Sequence, residues 1–250
     1  MLVLLPPSEG KTSARRGKPL DLQTLSWPEL TPARERLVDA LIELASGDRR
    51  LARERLALSE RMDDEVERDT KLRSAPTLKA ADLYTGVLYD GLDLASLDTA
   101  ARRWANRNLV IVSSLFGTVR LNDRIPPYRL GICTRLPGIG ALTSFWREQL
   151  GSLLVEAAGR DLVVDLRSND YAATWRPRGP LAARTVAVHV RREGVVASHD
   201  AKYTRGLVAR QLSIAGERLR RPDQLVDVLA PAFDVRLDRA GLSWRLEVLL

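Results

Sequence analysis

Three short apolar runs, each of which leads into a polar segment, constrain the fold of this chain more than any other feature. The runs are MLVLL at 1–5, NLVIVSS at 108–114 and DLVVDLRS at 161–168. Continuous apolar runs of this length are typical of strands that are covered on both faces. The sequence therefore predicts a sheet that is buried between helices.

The segments between these runs predict several helices and further strands. A helix is expected to begin at Thr31-Pro32, with Thr31 as its N-cap, and another after Ser96 as its cap. Further helical patterns cover 49–68, 140–157, 201–215 and the residues from Pro222. A turn and a short strand are predicted over 82–93, and a half-exposed strand over 184–192. A closing hairpin is predicted around Ala240-Gly241. No long linker or repeat interrupts this mixture. We therefore expect one compact α/β domain over residues 1–250, with a mixed sheet surrounded by helices.

Charge and cysteine usage restrict the possible partners and the compartment. The formal net charge is +7, which suits a polyanionic partner such as nucleic acid. Only five of the 39 basic residues are lysines, so an arginine-rich genome composition is the alternative explanation. The single cysteine, Cys133, fits a reducing compartment, and no apolar run approaches the roughly 18 residues of a membrane span. With no basic region before the first apolar run, the sequence predicts a cytoplasmic protein without a membrane span.

Several segments turn polar directly after they leave an apolar stretch. In sheets flanked by helices, loops at strand ends gather at a binding cleft. We therefore expect these loops to line one shared cleft of basic character. The segments are 8-SEGKT-12, 82-DLYTGVLYDGLD-93, 115-LFGTVRLNDRIPPYRLG-131 and 165-DLRSNDYAATW-175.

The segment 115–131 holds the densest group of charges. Around the rigid Pro126-Pro127 pair it carries Arg120, Asp123 and Arg129. We expect Arg120 and Arg129 to face an anion and Asp123 to orient them, with the proline pair limiting the entropy lost on binding. The alternative is that these residues form an internal salt-bridge network that closes the sheet.

The predicted helix at 201–215 has the clearest basic face. At 100° per residue, Lys202, Arg205 and Arg210 fall within an arc of roughly 140°. The small residues Gly206, Ala209 and Ser213 lie inside the same arc. Small residues between charges would let an extended anion approach the helix backbone closely. A merely solvated face is the alternative.

Three segments resemble nucleic-acid or nucleotide motifs only in part. The Gly138-Ile139-Gly140 turn resembles half of a helix-hairpin-helix module, whose free backbone N–H groups bind phosphate, but no helical pattern precedes it. The helical hairpin predicted over 32–70 holds eleven acidic and eight basic residues, which argues against it as a general DNA contact. The Gly-Lys-Thr of 8–12 lacks the first glycine of a nucleotide P-loop, so we expect Lys11 to face an anion instead.

Side chains typical of metal sites and of nucleophilic catalysis are scarce. The two histidines and one cysteine have no metal-ligand spacing, and no G-x-S-x-G elbow occurs. His189 lies among valines and is expected to be structural, and Cys133 is expected to be a buried thiol. The sequence therefore predicts no metal site and no cofactor.

Taken together, these segments resemble the YaaA peroxide-stress family of bacteria. The resemblance rests on LLPPSEGKT, DLYTGVLYDGLD, SSLFGTVRLNDRIPPYRLG, LTSFWREQL, VVDLRSNDY and AKYTRGLVAR, in that order along the chain. It implies a single unusual α/β fold with a positively charged cleft, DNA binding, a helix-hairpin-helix element, lowered free intracellular iron and protection during peroxide stress. It brings no established catalytic reaction. The positions that match the family motifs are Lys11, Thr12, Arg120, Asp123, Tyr128, Arg129, Ser168, Asp170, Tyr171, Lys202, Arg205, Gly206 and Arg210.

Three functional hypotheses follow from the sequence. The first is a cytoplasmic protein that binds double-stranded DNA with little sequence specificity, using Lys11, Arg120, Arg129 and the basic face of 202–210. Asp123, Tyr128, Ser168 and Asp170 would support the cleft. The second is an enzyme that acts on a nucleic-acid or phosphorylated substrate in the same cleft, with Asp123 or Asp170 as acid, base or metal ligand. The third, direct iron binding, would need a site built from carboxylates. No protein partner can be inferred.

Overall fold

A central mixed sheet flanked by helices forms the core of the molecule. The computed structural model describes residues 1–191 and 198–250. The helices are α1 (Thr31–Ser46), α2 (Arg49–Leu56), α3 (Asp63–Asp69), α4 (Ala80–Leu83), α5 (Val87–Leu92), α6 (Thr99–Asn108), α7 (Leu142–Ala158), α8 (Asn169–Ala172), α9 (Ser198–Ala215) and α10 (Pro222–Leu229). The strands are β1 (Leu2–Leu5), β2 (Leu78–Lys79), β3 (Leu109–Ser113), β4 (Gly117–Arg120), β5 (Arg124–Ile125), β6 (Arg135–Leu136), β7 (Gly140–Ala141), β8 (Val163–Asp165), β9 (Thr185–Arg191), β10 (Asp234–Ala240) and β11 (Ser243–Leu249).

The main sheet has a parallel centre and antiparallel edges. Within 1–191 and 198–250, seven strands form it in the order β10-β11-β9-β8-β1-β3-β4. Strands β11, β9, β8, β1 and β3 are parallel to their neighbours in this row, whereas β10 and β4 pair antiparallel. Every residue of β1, β3 and β8 is buried, as the apolar runs predicted. The predicted α/β class and mixed sheet are confirmed.

The parallel centre fixes where the strand-end loops lie. Because β8, β1 and β3 are adjacent and parallel, their C-terminal ends meet at one edge of the sheet. The polar segments that begin at Pro6, Ser114 and Leu166 all leave from this edge. The closing hairpin β10–β11 is also as predicted, with Ala240 opposite Ser243. Of the strand predicted over 184–192, the last residue lies outside the described residues.

The segment 82–93 is mostly helical, which corrects the predicted turn and short strand. Gly86, at a φ of +101°, precedes α5, a conformation that favours glycine. Helix α5 packs closely on α9. A Cβ at Gly206 would lie 2.0 Å from the Leu88 carbonyl oxygen, and one at Gly91 would lie 2.4 Å from the Tyr203 carbonyl oxygen. The two glycines therefore allow the helices to approach each other. The apolar pattern of 82–93 was too short to indicate helix α5.

The same contact corrects the interpretation of the small residues on α9. Gly206, Ala209 and Ser213 are buried, and Ser213 Oγ donates to the Ala209 carbonyl 2.8 Å away. The backbone that the sequence predicted to be open to an anion is covered by α5. The small side chains are needed for helix packing, which a helical wheel of one segment cannot distinguish from ligand access.

Other helix boundaries also differ from the prediction. The helix predicted over 49–68 is interrupted at Ala57, whose φ is +53°, and resumes as α3. Helix α6 is capped by Asp98, which accepts hydrogen bonds from two backbone N–H groups, and not by Ser96. Helix α1 begins at Thr31 itself, and the Thr31 hydroxyl donates to the Leu22 carbonyl instead of capping.

The predicted half of a helix-hairpin-helix module is a β-turn. Gly138 and Gly140 have positive φ in the tight β6–β7 hairpin, in which Leu136 pairs with Gly140. Helix α7 begins only at Leu142. A helix-hairpin-helix element is therefore not confirmed at this position. Of the helices in the described ranges, none combines the length and the apolar character needed to span a membrane.

Candidate functional site: a cavity at the C-terminal edge of the sheet

A cavity of about 760 Å³ opens at the edge of the sheet where β1 and β8 end. All four polar segments identified in the sequence contribute to its wall, together with α9 and the C-terminal end of α2. The basic residues on the wall outnumber the acidic ones. The charged lining residues are Lys11, Arg55, Arg129, Lys202 and Arg205, with Glu9 and Asp170 opposite in sign.

Lys11 is held deep in the wall by the loop that follows β1. Its Nζ donates to the Ser8 carbonyl at 2.8 Å and lies 4.2 Å from the centroid of the Tyr128 ring. Burial, followed by the charge of Arg129, lowers the pKa of Lys11 to about 7. Lys11 therefore changes its charge near neutral pH inside the cavity.

A buried hydroxyl network fixes the floor beneath Lys11. The Tyr128 hydroxyl lies 2.8 Å from Ser113 Oγ and 3.0 Å from the Tyr84 hydroxyl. Ser113 is the last residue of β3, and Tyr128 follows the Pro126-Pro127 pair. Tyr128 therefore ties the segment 115–131 to the sheet at this point, and it positions the aromatic face against Lys11.

Asp69 holds the backbone of Arg129 in place beneath the cavity wall. Asp69 is fully buried, and its Oδ1 accepts a hydrogen bond of 2.9 Å from the Arg129 backbone N–H. Its Oδ2 is buried and has no hydrogen-bond partner in the described part of the chain. Burial raises the pKa of Asp69 to about 8. The Arg129 guanidinium lies 3.2 Å from Glu9 at the cavity wall.

The loop after β8 is shaped by an ion pair that the sequence analysis missed. Arg167 and Asp165 form a buried salt bridge at 2.8 Å, and the Arg167 guanidinium also donates to the carbonyls of Tyr171 and Trp175. These bonds fold the loop back on itself. As a result Ser168, Asp170 and Tyr171 line the cavity. The signal in the sequence was Asp-Leu-Arg, whose two charged residues lie on one side of an extended chain.

Helix α9 supplies two cations to the opposite wall. Lys202 is exposed, whereas Arg205 is half-buried. Arg205 Nε is buried and lacks a hydrogen-bond partner within 1–191 and 198–250. Burial lowers the pKa of Arg205, and the charge of Asp165 opposes this effect. Arg205 thus presents a desolvated donor beside the cavity.

Three of the predicted site residues lie outside the cavity wall. The Arg120 guanidinium donates to the Arg107 carbonyl at 2.7 Å and stacks over Trp27. Asp123 accepts bonds from Ser26 and from the Arg120 backbone N–H, so it orients the turn and not the guanidinium. In this half of the segment 115–131 the contacts are internal, but they are hydrogen bonds and a cation–π contact, and no salt bridge among the described residues joins Arg120 to Asp123.

Arg210 is the third of these residues. Its guanidinium donates to the carbonyls of Leu92 and Asp93 at the end of α5, at 3.2 and 2.8 Å. It therefore supports the α5–α9 contact. The predicted residues that the fold does bring together at the cavity are Lys11, Tyr128, Arg129, Ser168, Asp170, Lys202 and Arg205.

Two lining residues were missed or misjudged from the sequence. Arg55, near the end of α2, belongs to a segment whose acidic excess argued against an anion site. Cys133 is exposed and lines the cavity, which corrects the prediction of a buried thiol. Cys133 lies in a turn in which the Thr134 N–H donates to the Gly131 carbonyl at 3.1 Å, and this turn leaves Cys133 exposed between the buried residues Ile132 and Thr134. Across 1–191 and 198–250, no group of three or more His, Cys, Asp or Glu side chains could hold a metal ion.

Comparisons with known proteins agree with the resemblance found in the sequence. A family model described as "Peroxide stress protein YaaA" matches residues 1–237. A UPF0246 protein of Streptomyces coelicolor is 48% identical, over 100% of this chain and 98% of its own length. A UPF0246 protein of Corynebacterium efficiens is 40% identical over 91% of each chain, and one of Corynebacterium glutamicum is 34% identical over 93% of each.

Proposed function

Since the chain belongs to the peroxide stress protein YaaA family, we propose that it binds duplex DNA with little sequence specificity and thereby helps limit iron- and peroxide-dependent damage. The observation that carries the proposal is the convergence of basic side chains from distant segments on one concave surface. Lys11 follows β1, Arg129 follows the proline pair, and Lys202 and Arg205 come from α9. Cations that are gathered on one face attract a phosphate backbone over a long range.

Little sequence specificity is expected from this set of residues. Phosphate contacts orient a protein on DNA but carry no sequence information, which is obtained from base edges in the grooves. Among the described residues that line the cavity there is no asparagine or glutamine, the side chains that typically read adenine. Binding in the cytoplasm by charge attraction would place the protein along the chromosome without selecting a site.

A binding titration tests this proposal. Fluorescence anisotropy with two unrelated labelled duplexes of equal length should give dissociation constants within about threefold of each other. Lys202→Gln combined with Arg205→Gln should weaken binding to both duplexes by at least about tenfold. Arg236→Gln removes one positive charge from an exposed residue of β10, and it is the control for the loss of a single charge away from the cavity. Wild-type protein that does not bind duplex at low salt would overturn the proposal.

An enzyme acting on a nucleic-acid or phosphorylated substrate is the second candidate. Asp170 lines the cavity together with Lys11 and Lys202, and a carboxylate among cations is common at such active sites. The carboxylate of Asp123, the other candidate, already accepts hydrogen bonds from the Ser26 N–H and hydroxyl. Labelled DNA incubated with Mg²⁺ or Mn²⁺ should give products that Asp170→Asn abolishes and Asp123→Asn does not. An absence of products with both metals would reject this candidate.

A further inference from the structure

The cavity is far smaller than a DNA duplex. A cube of 760 Å³ has an edge of about 9 Å, whereas the major groove of a duplex alone is roughly 12 Å wide. Pockets of roughly 300–1,000 Å³ enclose a single small ligand. A duplex can therefore contact only the mouth of the cavity, whereas an unpaired nucleotide is small enough to enter it.

The wall combines the groups that a nucleotide requires. Besides its cations, the cavity is lined by Tyr171, Pro7 and Val87, which are partly exposed. A bare phosphate would use only the cations and would leave the aromatic and apolar lining empty. Aromatic and apolar surfaces next to cations are how proteins hold the base and the phosphate of an unpaired nucleotide.

The wall also contains a hydrogen-bond donor without a partner among the described residues, the Nε–H of Arg205. Arg205 Nε is buried and has no hydrogen-bond partner within the described ranges, although the side chain borders the cavity. A buried unpaired donor costs free energy unless a ligand or water accepts from it. This N–H has no accessible surface in the present conformation, so an anionic ligand in the cavity would accept from it after a small rotation of the Arg205 side chain, and exposed Lys202 on the same helix would add a second contact.

We propose that this cavity binds one unpaired nucleotide, with its phosphate against Arg205 and Lys202 and its base against Tyr171 and the adjoining apolar part of the wall. The inference rests on the proposed function, because it specifies which part of a DNA strand enters the site. A nucleotide at a gap, an overhang or a distorted base pair would be the source of such a unit. Deoxynucleoside monophosphates are the appropriate probe.

Cys133 provides a direct readout of occupancy. It is the only cysteine of the chain, is exposed and lines the cavity. Burial and the carboxylate of Asp170 raise the pKa of its thiol, so labelling with a chromogenic disulfide is carried out at mildly alkaline pH. Pockets of this kind enclose about 70–90% of a bound ligand, so a saturating deoxynucleoside monophosphate should slow labelling by at least about fivefold.

Variants distinguish protection by a ligand in the cavity from unspecific effects of charge. Arg205→Gln should remove most of the protection, whereas Arg236→Gln on β10 should retain it. If Arg205→Gln fails to fold, Lys202→Gln serves instead, because Lys202 is exposed. The unprotected labelling rate of each variant indicates whether its cavity has kept its shape.

The outcomes distinguish this inference from the proposed function. Protection by the monophosphate but not by equimolar inorganic phosphate supports a nucleotide site, and equal protection by both overturns it. Duplex binding without any protection by the monophosphate overturns the inference and leaves the proposed function standing. Protection by the monophosphate without duplex binding supports the site and rejects the proposed function.

Discussion

At the scale of single residues, Lys11 combines the features expected of a charge that responds to pH. It is half-buried, donates to backbone carbonyls of Ser8 and Glu9, and lies over the Tyr128 ring. Burial lowers its pKa to about 7, with the charge of Arg129 as the next cause. A phosphate in the cavity would favour the protonated form, so proton uptake and anion binding are linked.

DNA affinity should therefore depend on pH in a way that requires Lys11. As the pH rises from 6 to 8.5, Lys11 loses its proton, and the affinity of the wild-type protein should fall by roughly five- to tenfold. In Lys11→Gln the affinity should be low at both pH values, and the pH dependence that remains should be that of Asp69, whose pKa burial raises to about 8. Anisotropy titrations at constant ionic strength measure this. Parallel pH profiles of wild type and variant would exclude Lys11 as the titrating group.

Arg34 is the residue whose replacement should cost most stability. Its guanidinium is fully buried and donates to four carbonyls, those of Ser26, Trp27, Phe116 and Thr118. Arg34→Met keeps the stem but leaves these acceptors unpaired, so unfolding should cost at least about 3 kcal/mol less. Urea unfolding followed by circular dichroism gives the difference. Arg36→Met, on the exposed face of α1, should change the same free energy by less than about 1 kcal/mol.

At the scale of elements, the contact between α5 and α9 sets the position of one wall of the cavity. Gly206 and Gly91 bring the helix backbones together, and Arg210 donates to the end of α5. Lys202 and Arg205 lie in the N-terminal half of α9, next to this contact. The distance between the helices therefore determines where these two cations lie relative to the loop after β1.

Gly206→Ala should destabilise the protein although alanine is the better helix former. Its Cβ would lie 2.0 Å from the Leu88 carbonyl and 2.8 Å from the Leu92 nitrogen, which are backbone atoms that cannot move separately. We expect a loss of about 2–4 kcal/mol, measured as a lower melting temperature. Gly151→Ala in α7 is the matched control, because its Cβ would meet nothing within 4 Å. That variant should be stabilised by about 0.5–1 kcal/mol.

At the scale of the whole molecule, the parallel order β8-β1-β3 brings distant parts of the chain to one edge of the sheet. The loop after β1, the segment after β3 and the loop after β8 leave from that edge, and α9 covers its side. Lys11 and Arg205 are far apart in sequence but line the same cavity. The site is therefore a product of topology, and no single segment contains it.

The salt dependence of DNA binding should identify the cations that take part. If about four phosphates of a duplex are contacted around the mouth of the cavity, log K should fall with log[salt] with a slope of roughly −3.6. Lys202→Gln should reduce this slope by about 0.9. Arg120→Gln and Arg210→Gln should leave it unchanged, because those guanidinium groups already bind backbone carbonyls. Equal effects of all three substitutions would show that the cavity is not the centre of binding.

The sequence by itself determined the fold class and the strands of its core. Strands β1, β3 and β8 are buried on both faces, and their continuous apolar sequences indicate this burial directly. It also indicated that several polar segments follow these strands, and the order of short motifs indicated the family. Such properties are local, since each is encoded within about ten neighbouring residues.

Only the tertiary structure decided which charges share a surface. Arg120 and Arg129 are nine positions apart in one loop, yet the first binds the Arg107 carbonyl while the second lines the cavity. The small face of α9 served helix packing, and Cys133 was exposed instead of buried. Burial, ion pairing and access depend on what packs against a residue from elsewhere in the chain, and periodicity within one segment carries no information about that neighbour.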